Sequence, residues 1–205
     1  MKGFIDFLIF ILLLPLIILL IPLISLFIII FDSWPVIFSQ IRIGKNGKEF
    51  KFYKFRTMEP LSSEDLHKQH YRQLSNEKLI VPSLEPSDPI RIENDDRITK
   101  VGNFLRKTSL DELPNIFNVL FGHMSFIGPR PLVKYEAELY GDYLNKRNSV
   151  KPGISGLAQI QGRLDLSLQE RLYWDLKYIE ELSTLNDLKI LFKTIKSVLS
   201  RRGAN

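Results

Sequence analysis

Hydrophobic and polar positions divide this chain into a uniform block and a patterned remainder. Residues 7–31 form an unbroken 25-residue run without Lys, Arg, Asp, Glu or His. A helix of that length is about 37 Å long, enough to cross a hydrocarbon core of about 30 Å. The run exceeds the apolar core of a secretory signal, and no small-residue cleavage site follows at Phe31-Asp32-Ser33-Trp34-Pro35. The segment is therefore expected to be retained. Pro15 and Pro22 interrupt its hydrogen bonding seven residues apart, almost two turns, so their bends fall on a similar side. On the residues alone two readings stand, a kinked span and a re-entrant helix that returns to the face it entered.

Beyond residue 34 the pattern changes. Val36-Ile37-Phe38 and the alternating run Phe50-Lys51-Phe52-Tyr53-Lys54-Phe55 flank a turn at Gly44-Lys45-Asn46-Gly47, which predicts a β-hairpin. Residues 61–95 are polar and punctuated by Pro82, Pro86 and Pro89, and read as a short helix near 63–75 followed by a loop that covers a site or is merely solvated. His67 and His70 share a face of that helix, and with no further ligand in the sequence they read as solvated. Two short helices are expected within 97–121, with Leu113, Ile116, Phe117, Leu120 and Phe121 as one apolar face. Further helices are expected at 132–146, 168–182 and 185–202. The last carries an apolar stripe of Leu188, Leu191, Phe192, Ile195, Val198 and Leu199 with lysines and arginines elsewhere, which suits either a membrane interface or a core. The fold class is thus α+β and mostly helical. Residues 1–33 are expected to form a membrane anchor helix, and residues 34–205 a compact core with a short β-hairpin and amphipathic interfacial helices.

Charge sharpens this picture. The net charge is +5 and the sequence pI is about 9.3. Residues 42–56 hold six basic residues against Glu49, which by the positive-inside tendency places this flank in the cytoplasm. A basic domain beside an anchor suits anionic lipid or phosphorylated substrates. A soluble nucleic-acid binder has no use for residues 7–31, so no nucleic-acid partner is expected. The absence of Cys excludes disulfides, cysteine–zinc sites and cysteine nucleophiles.

Candidate chemistry centres on Asp111-Glu112. One reading is a capping box, with Ser109 as N-cap and Glu112 three residues on. Pro114 opposes it, because a helix that starts at Pro114 leaves both acids exposed just before it. Adjacent residues point about 100° apart on a helix, so the two carboxylates can take separate roles, one attacking an electrophile and one holding a cation. Arg56, Arg106, Arg130 and Arg163 supply the charge neutralisation that phosphoryl transfer needs. Gly128-Pro129-Arg130-Pro131 fixes one guanidinium between prolines, suited to phosphate recognition or simply to a turn.

These motifs, in this order, resemble the bacterial sugar transferases, the monotopic phosphoglycosyl transferases, and most closely their small members. The matching stretches are Lys54-Phe55-Arg56-Thr57-Met58, Arg97-Ile98-Thr99-Lys100-Val101-Gly102 and Leu105 through Pro114. They continue with Asn118-Val119-Leu120, Met124 through Pro131, Lys151 through Gln159, Gly162-Arg163, and Asp175 within Trp174-Asp175-Leu176. The resemblance implies transfer of a sugar-1-phosphate from a nucleoside-diphosphate sugar, expected to be a UDP-sugar, to a polyprenol phosphate such as undecaprenyl phosphate. This would initiate glycoconjugate assembly. It implies Asp111 as nucleophile, ping-pong kinetics through a phosphosugar–aspartyl intermediate, and Glu112 as Mg²⁺ ligand. Arg106 and Arg130 would lie near the donor phosphates, with Lys54, Arg56, Pro129, Gln159, Arg163 and Asp175 as further substrate-binding positions. It also implies a re-entrant helix–break–helix at the cytoplasmic face of the bacterial inner membrane. The family's Ser-Pro break is Ile21-Pro22 here, and Ser25, one turn on, is a candidate to bond a freed carbonyl. The alternative is a non-enzymatic, membrane-attached binding or scaffold protein, in which Asp111 and Glu112 are caps only.

Overall fold

The computed structural model describes residues 2–59, 65–75, 79–85, 87–90 and 95–200. The side chains of His67, Val198 and Leu199 lie outside the described residues, as do Arg201 and Arg202. The first element is a single helix, α1 (Lys2–Asp32), 31 residues long, with Pro15 and Pro22 inside it. The helical run is continuous through both prolines, whereas the resemblance implies a helix–break–helix. Each proline deletes one hydrogen bond, and the bonds of the neighbouring residues carry the helix past it. Ser25 Oγ donates to the Ile21 carbonyl at 2.7 Å, and not to the Ile18 carbonyl that Pro22 leaves without its partner. It reinforces an ordinary turn.

α1 is uniformly apolar, yet it buries one stripe: Asp6, Phe10, Ile17, Ile24 and Ile28. Those spacings of four and seven keep to one side of a 3.6-residue helix. Phe10 and Ile17 enter the main core with Phe52, Ile116, Met124, Tyr178 and Ile190. Ile24 and Ile28 enter a second cluster with Val36, Phe55 and Leu105. Thus α1 shares its core with the remainder of the chain. Its outer residues, such as Leu12, Ile18, Leu19 and Phe31, are exposed. Among the described residues it is the one helix long and apolar enough to cross a membrane.

The hairpin forms as the alternation predicts. β1 (Ile37–Ile43) pairs antiparallel with β2 (Glu49–Phe55), Ile37 opposite Phe55 and Ile43 opposite Glu49. A 3₁₀ turn at Lys45–Gly47 joins them, with Asn46 and Gly47 at positive φ. The segment after β2 carries α2 (Asp65–Ser75). It is not simply solvated. Ile80 and Ile90 are buried in a third cluster with Leu132, Tyr140, Leu168 and Leu172, and His70 Nε2 lies 3.0 Å from the Ile90 carbonyl.

α3 (Lys100–Thr108) starts at Thr99, whose side chain accepts from the Gly102 amide, and ends at Ser109 in the left-handed region. A 3₁₀ turn over Leu110–Asn115 leads into α4 (Ile116–Leu120). The apolar face expected here is split: Ile116 and Val119 are buried, while Phe117, Leu120 and Phe121 are exposed. Two short strands that the hydrophobic pattern does not announce, β3 (Ser125–Ile127) and β4 (Gly153–Ser155), pair in parallel. The helix expected over 132–146 is broken into α5 (Lys134–Ala137), a 3₁₀ turn and α6 (Tyr143–Arg147), with Gly141 at positive φ between them. α7 (Leu157–Gln161), α8 (Leu168–Glu180) and α9 (Thr184–Ser200) follow. Ser167 and Glu170 form a complete capping box at the start of α8. α9 turns Ile190 and Leu191 into the core and leaves Leu185, Leu188, Phe192 and Ile195 exposed on one stripe.

Candidate active site

Asp111 and Glu112 sit in the 3₁₀ turn between α3 and α4. The left-handed Ser109 ends α3 abruptly, and Pro114 prevents an α-helix from forming at once. The capping reading fails here. Ser109 makes no side-chain cap bond, and Glu112 is turned toward Arg130 instead. Two asparagines stitch this turn to the hairpin. Asn115 Oδ1 accepts from the Tyr53 amide at 2.9 Å, and Asn118 Nδ2 donates to the Lys51 carbonyl at 3.0 Å and to Asn115 Oδ1 at 3.1 Å.

Across from the acids, β2 contributes Lys54. It lies two residues beyond Phe52, on the same face of the strand, and so points inward despite its charge. Its Nζ is 3.2 Å from Glu112 Oε1 and 3.5 Å from Asp111 Oδ2. Arg130 donates to Glu112 Oε1 at 2.6 Å. Gly128 and Gly153 hold the Arg130 run in place: a methyl group on either would run into the backbone of the other segment. A further support comes from α6, where Arg147 donates to the Arg130 carbonyl at 2.7 Å.

The electrostatics separate the two acids. Burial pushes the Asp111 carboxyl above its ordinary value; Lys54 opposes this, and the neighbouring Glu112 adds to it. Glu112 is half-buried, but Arg130 and Lys54 outweigh the cost of its desolvation and hold it far below the usual carboxylate range. A buried carboxylate biased against its charge stands beside one fixed as an anion, which is the separation expected of two acids with different tasks. Burial lowers the Arg106 and Arg163 guanidinium values, and Asp111 and Glu112 lie close enough to offset part of this.

Asp111, Glu112, Lys54, Arg56, Arg106, Arg130, Gln159 and Arg163 all line one cavity of about 930 Å³. Two of the expected substrate positions are held by bonds within the fold. Arg56 is buried, and its guanidinium donates to the Ser33 carbonyl at 2.8 Å, the Trp34 carbonyl at 3.2 Å, and the Asp32 carbonyl. It caps the C-terminal end of α1. Asp175 is 1 % exposed, lies off the cavity, and pairs with Arg147 at 2.7 Å. It therefore reaches the site only through Arg147 and the Arg130 carbonyl. Pro129 is buried, and its carbonyl accepts from the Gly153 amide at 2.9 Å. Gln159 Oε1 is buried without a hydrogen-bond partner among the described residues. Sequence reasoning assigns no structural role to Asn115 or Arg147, nor to Asn118 beyond its place in a matching stretch or Arg42 beyond the basic flank; polar residues within apolar stretches were the signal available for the two asparagines.

Among the described residues no cluster of three or more His, Cys, Asp or Glu side chains could hold a metal by itself. Mg²⁺ typically takes one or two carboxylates and completes its shell with water and substrate phosphate. The Asp111–Glu112 pair, with its ionised Glu112, fits that donor set.

The buried Asp111 beside Glu112, with Lys54, Arg106, Arg130 and Arg163 lining the same cavity, makes a cation-rich site suited to phosphate groups, on a core shared with an apolar helix. The family comparison agrees: the bacterial sugar transferase model matches residues 1–201, and the chain belongs to this family. It is 44% identical over 173 residues to the undecaprenyl-phosphate galactose phosphotransferase of Salmonella typhimurium, covering 84% of this chain and 35% of that one. It is 42% identical over 173 residues to the UDP-galactose-lipid carrier transferase of Erwinia amylovora, with the same coverage of 84% and 35%. It is 42% identical over 179 residues to the exopolysaccharide production protein ExoY of Rhizobium meliloti, covering 84% of this chain and 74% of that one. The chain thus spans about a third of the length of the first two relatives.

Proposed function

We propose that this protein transfers a sugar-1-phosphate from a nucleoside-diphosphate sugar to a polyprenol phosphate, initiating assembly of a surface glycoconjugate. The observation that carries the reading is the buried Asp111 beside an ionised Glu112, within a cavity rimmed by cations. The relatives' names, which include an undecaprenyl-phosphate phosphotransferase and a UDP-galactose-lipid carrier transferase, support undecaprenyl phosphate as acceptor and a UDP-sugar as donor.

In the first half-reaction Asp111 attacks the phosphorus that bears the sugar. A bond forms from its carboxylate oxygen to phosphorus. The bond from phosphorus to the bridging oxygen breaks, and the nucleoside monophosphate leaves with that electron pair. In the second, an acceptor phosphate oxygen attacks the same phosphorus, and the Asp111 carboxylate departs intact. Burial of Asp111 favours attack, because a poorly solvated carboxylate sheds little water to react. Lys54, Arg106, Arg130 and Arg163 neutralise the diphosphate. Glu112 would hold Mg²⁺, which supplies further neutralisation of the diphosphate when bound.

Both ends of α1 support a re-entrant, monotopic placement at the cytoplasmic face of the bacterial inner membrane. Lys2 Nζ pairs with Asp187 at 2.7 Å, and Asp32 Oδ2 accepts from Thr99 Oγ1 at 2.5 Å, so both ends meet the same domain. The exposed stripes of α1 and α9, with Phe117, Leu120 and Phe121, supply apolar surface for lipid.

The test is incubation of the protein with a panel of nucleotide sugars and Mg²⁺ without lipid. A phosphosugar adduct on Asp111, read by mass spectrometry together with released nucleoside monophosphate, is expected. Full turnover by Asp111→Asn would overturn the reading.

A further inference from the structure

The acid pair does not use all of the charge in its cavity. Arg42, on β1, lines the same cavity as Arg130. Both guanidiniums lie against Phe52, at 5.4 Å and 5.8 Å from its ring centroid. Arg130 is paired with Glu112, but Arg42 has no ion pair among the described residues. Among the described residues its guanidinium makes one hydrogen bond, from a terminal nitrogen to the Pro131 carbonyl at 3.2 Å, and its Nε is buried without a partner. Burial and the nearby Arg130 both work against its charge, and Glu136 offsets only part of this. A donor that is desolvated, unpaired and faced by a like charge is costly unless an anion completes it.

The neighbours of Arg42 say which part of a substrate that anion belongs to. Beyond Arg42 the cavity is walled by Tyr71, Tyr135 and the Glu136–Arg171 ion pair. This wall comes from α2, α5 and α8, whereas the apolar anchor α1 touches the cavity through Leu13. The groups nearest Arg42 are thus polar or charged, which suits a water-borne phosphate better than a prenyl chain. A free sugar is neutral and leaves Arg42 uncompensated. The α-phosphate of the nucleotide is anionic and water-borne, and it gains charge when the phosphorus–oxygen bond breaks.

We propose that Arg42 binds the α-phosphate of the leaving nucleoside monophosphate through its guanidinium, opposite Arg130. This rests on the transferase reading above. It gives the first half-reaction a receptor for the oxygen that departs with the electron pair. The second half-reaction, in which no nucleotide takes part, does not need it.

In a ping-pong reaction kcat/KM for each substrate reports only its own half-reaction, which makes the assignment testable in the full chain reconstituted in lipid. Arg42→Gln is expected to lower kcat/KM for the nucleotide sugar about 10- to 100-fold, the range for loss of a charge-assisted hydrogen bond. It should also weaken product inhibition by the nucleoside monophosphate, and leave kcat/KM for polyprenol phosphate unchanged. Arg42→Lys should recover part of the donor loss. A merely structural role would lower both kcat/KM values together, and that result, or no change in either, overturns the proposal. Should the variants fail to fold, the wild-type protein decides: the 5′-monophosphate must inhibit at least about tenfold better than the corresponding nucleoside, and equal inhibition overturns the assignment. Absence of any Asp111 adduct in the wild type would instead sink the transferase reading itself, and this inference with it.

Discussion

At Asp111, burial acts on a carboxylate that Lys54 reaches only at 3.5 Å, whereas Glu112 has Arg130 at 2.6 Å and Lys54 at 3.2 Å. Small differences in reach therefore send neighbouring acids in opposite directions. Asp111, raised in the fold, is a burden above its folded value and none once protonated. Asp111→Asn should thus raise thermal stability at pH 7 by about 1 kcal/mol, with the gain fading on acidification. Glu112, depressed in the fold, contributes stability above the unfolded carboxylate value, which is lost as pH falls toward its folded value. Glu112→Gln should cost about 3 kcal/mol at pH 7 and progressively less below about pH 4. Paired thermal melts at several pH values check both signs. On the proposed mechanism adduct formation needs the Asp111 anion, so its rate should fall on acidification at a pH above the ordinary aspartate range, as read by single-turnover kinetics. The acid pair and most of its basic neighbours were legible as residues. Their division of labour was not, because it depends on distances across β2 and the Arg130 run that no local spacing encodes. Arg56 and Asp175 show the same limit, since a motif position does not reveal whether a guanidinium faces substrate or the end of a helix.

Among the elements, the long or strongly patterned ones were legible: α1, the hairpin, α8 and α9 follow from apolar runs, alternation and 3.6-residue periodicity. β3 and β4 were not. Each is three residues long, and they pair through glycine contacts between segments about 28 residues apart. Those contacts set the position of Arg130. Gly153→Ala would push β4 from Gly128, with an expected loss of about 1–3 kcal/mol in stability and a further loss in donor turnover. Chemical denaturation and steady-state kinetics on the same preparation separate the two effects. Asp175→Asn belongs to this scale as well. It leaves Arg147 without its buried partner, so the fold should weaken by about 3 kcal/mol while residual activity keeps its substrate preference. A change in donor selectivity would instead place Asp175 in contact with substrate.

For the whole molecule, the arrangement of α1 is the feature that links anchor to chemistry. Its C-terminal end is capped by Arg56, and its N-terminal turn is held by the Asp6 carboxylate, which accepts from Ser125 Oγ at 2.9 Å and the Phe126 amide at 3.0 Å. A cysteine placed at position 2 should react with a membrane-impermeant reagent on the same side as one placed at Lys48. Labelling from the opposite side would require a span. Deleting α1 would strip Phe10, Ile17, Ile24 and Ile28 from two core clusters, so the remainder should aggregate rather than persist as a soluble enzyme, as size-exclusion chromatography would report.

The tie between Lys2 and Asp187 has a consequence for biosynthesis. Its partners stand 185 residues apart in the chain. At about 5–20 residues per second, the ribosome needs about 10–40 s to make the second after the first. Asp6 has no partner in the domain until Ser125 and Phe126 are made, and Lys2 has none until Tyr178 and Asp187 follow, so on the proposed placement lipid holds α1 in the meantime. On that placement, α1 thus meets lipid before the domain that packs against it is complete.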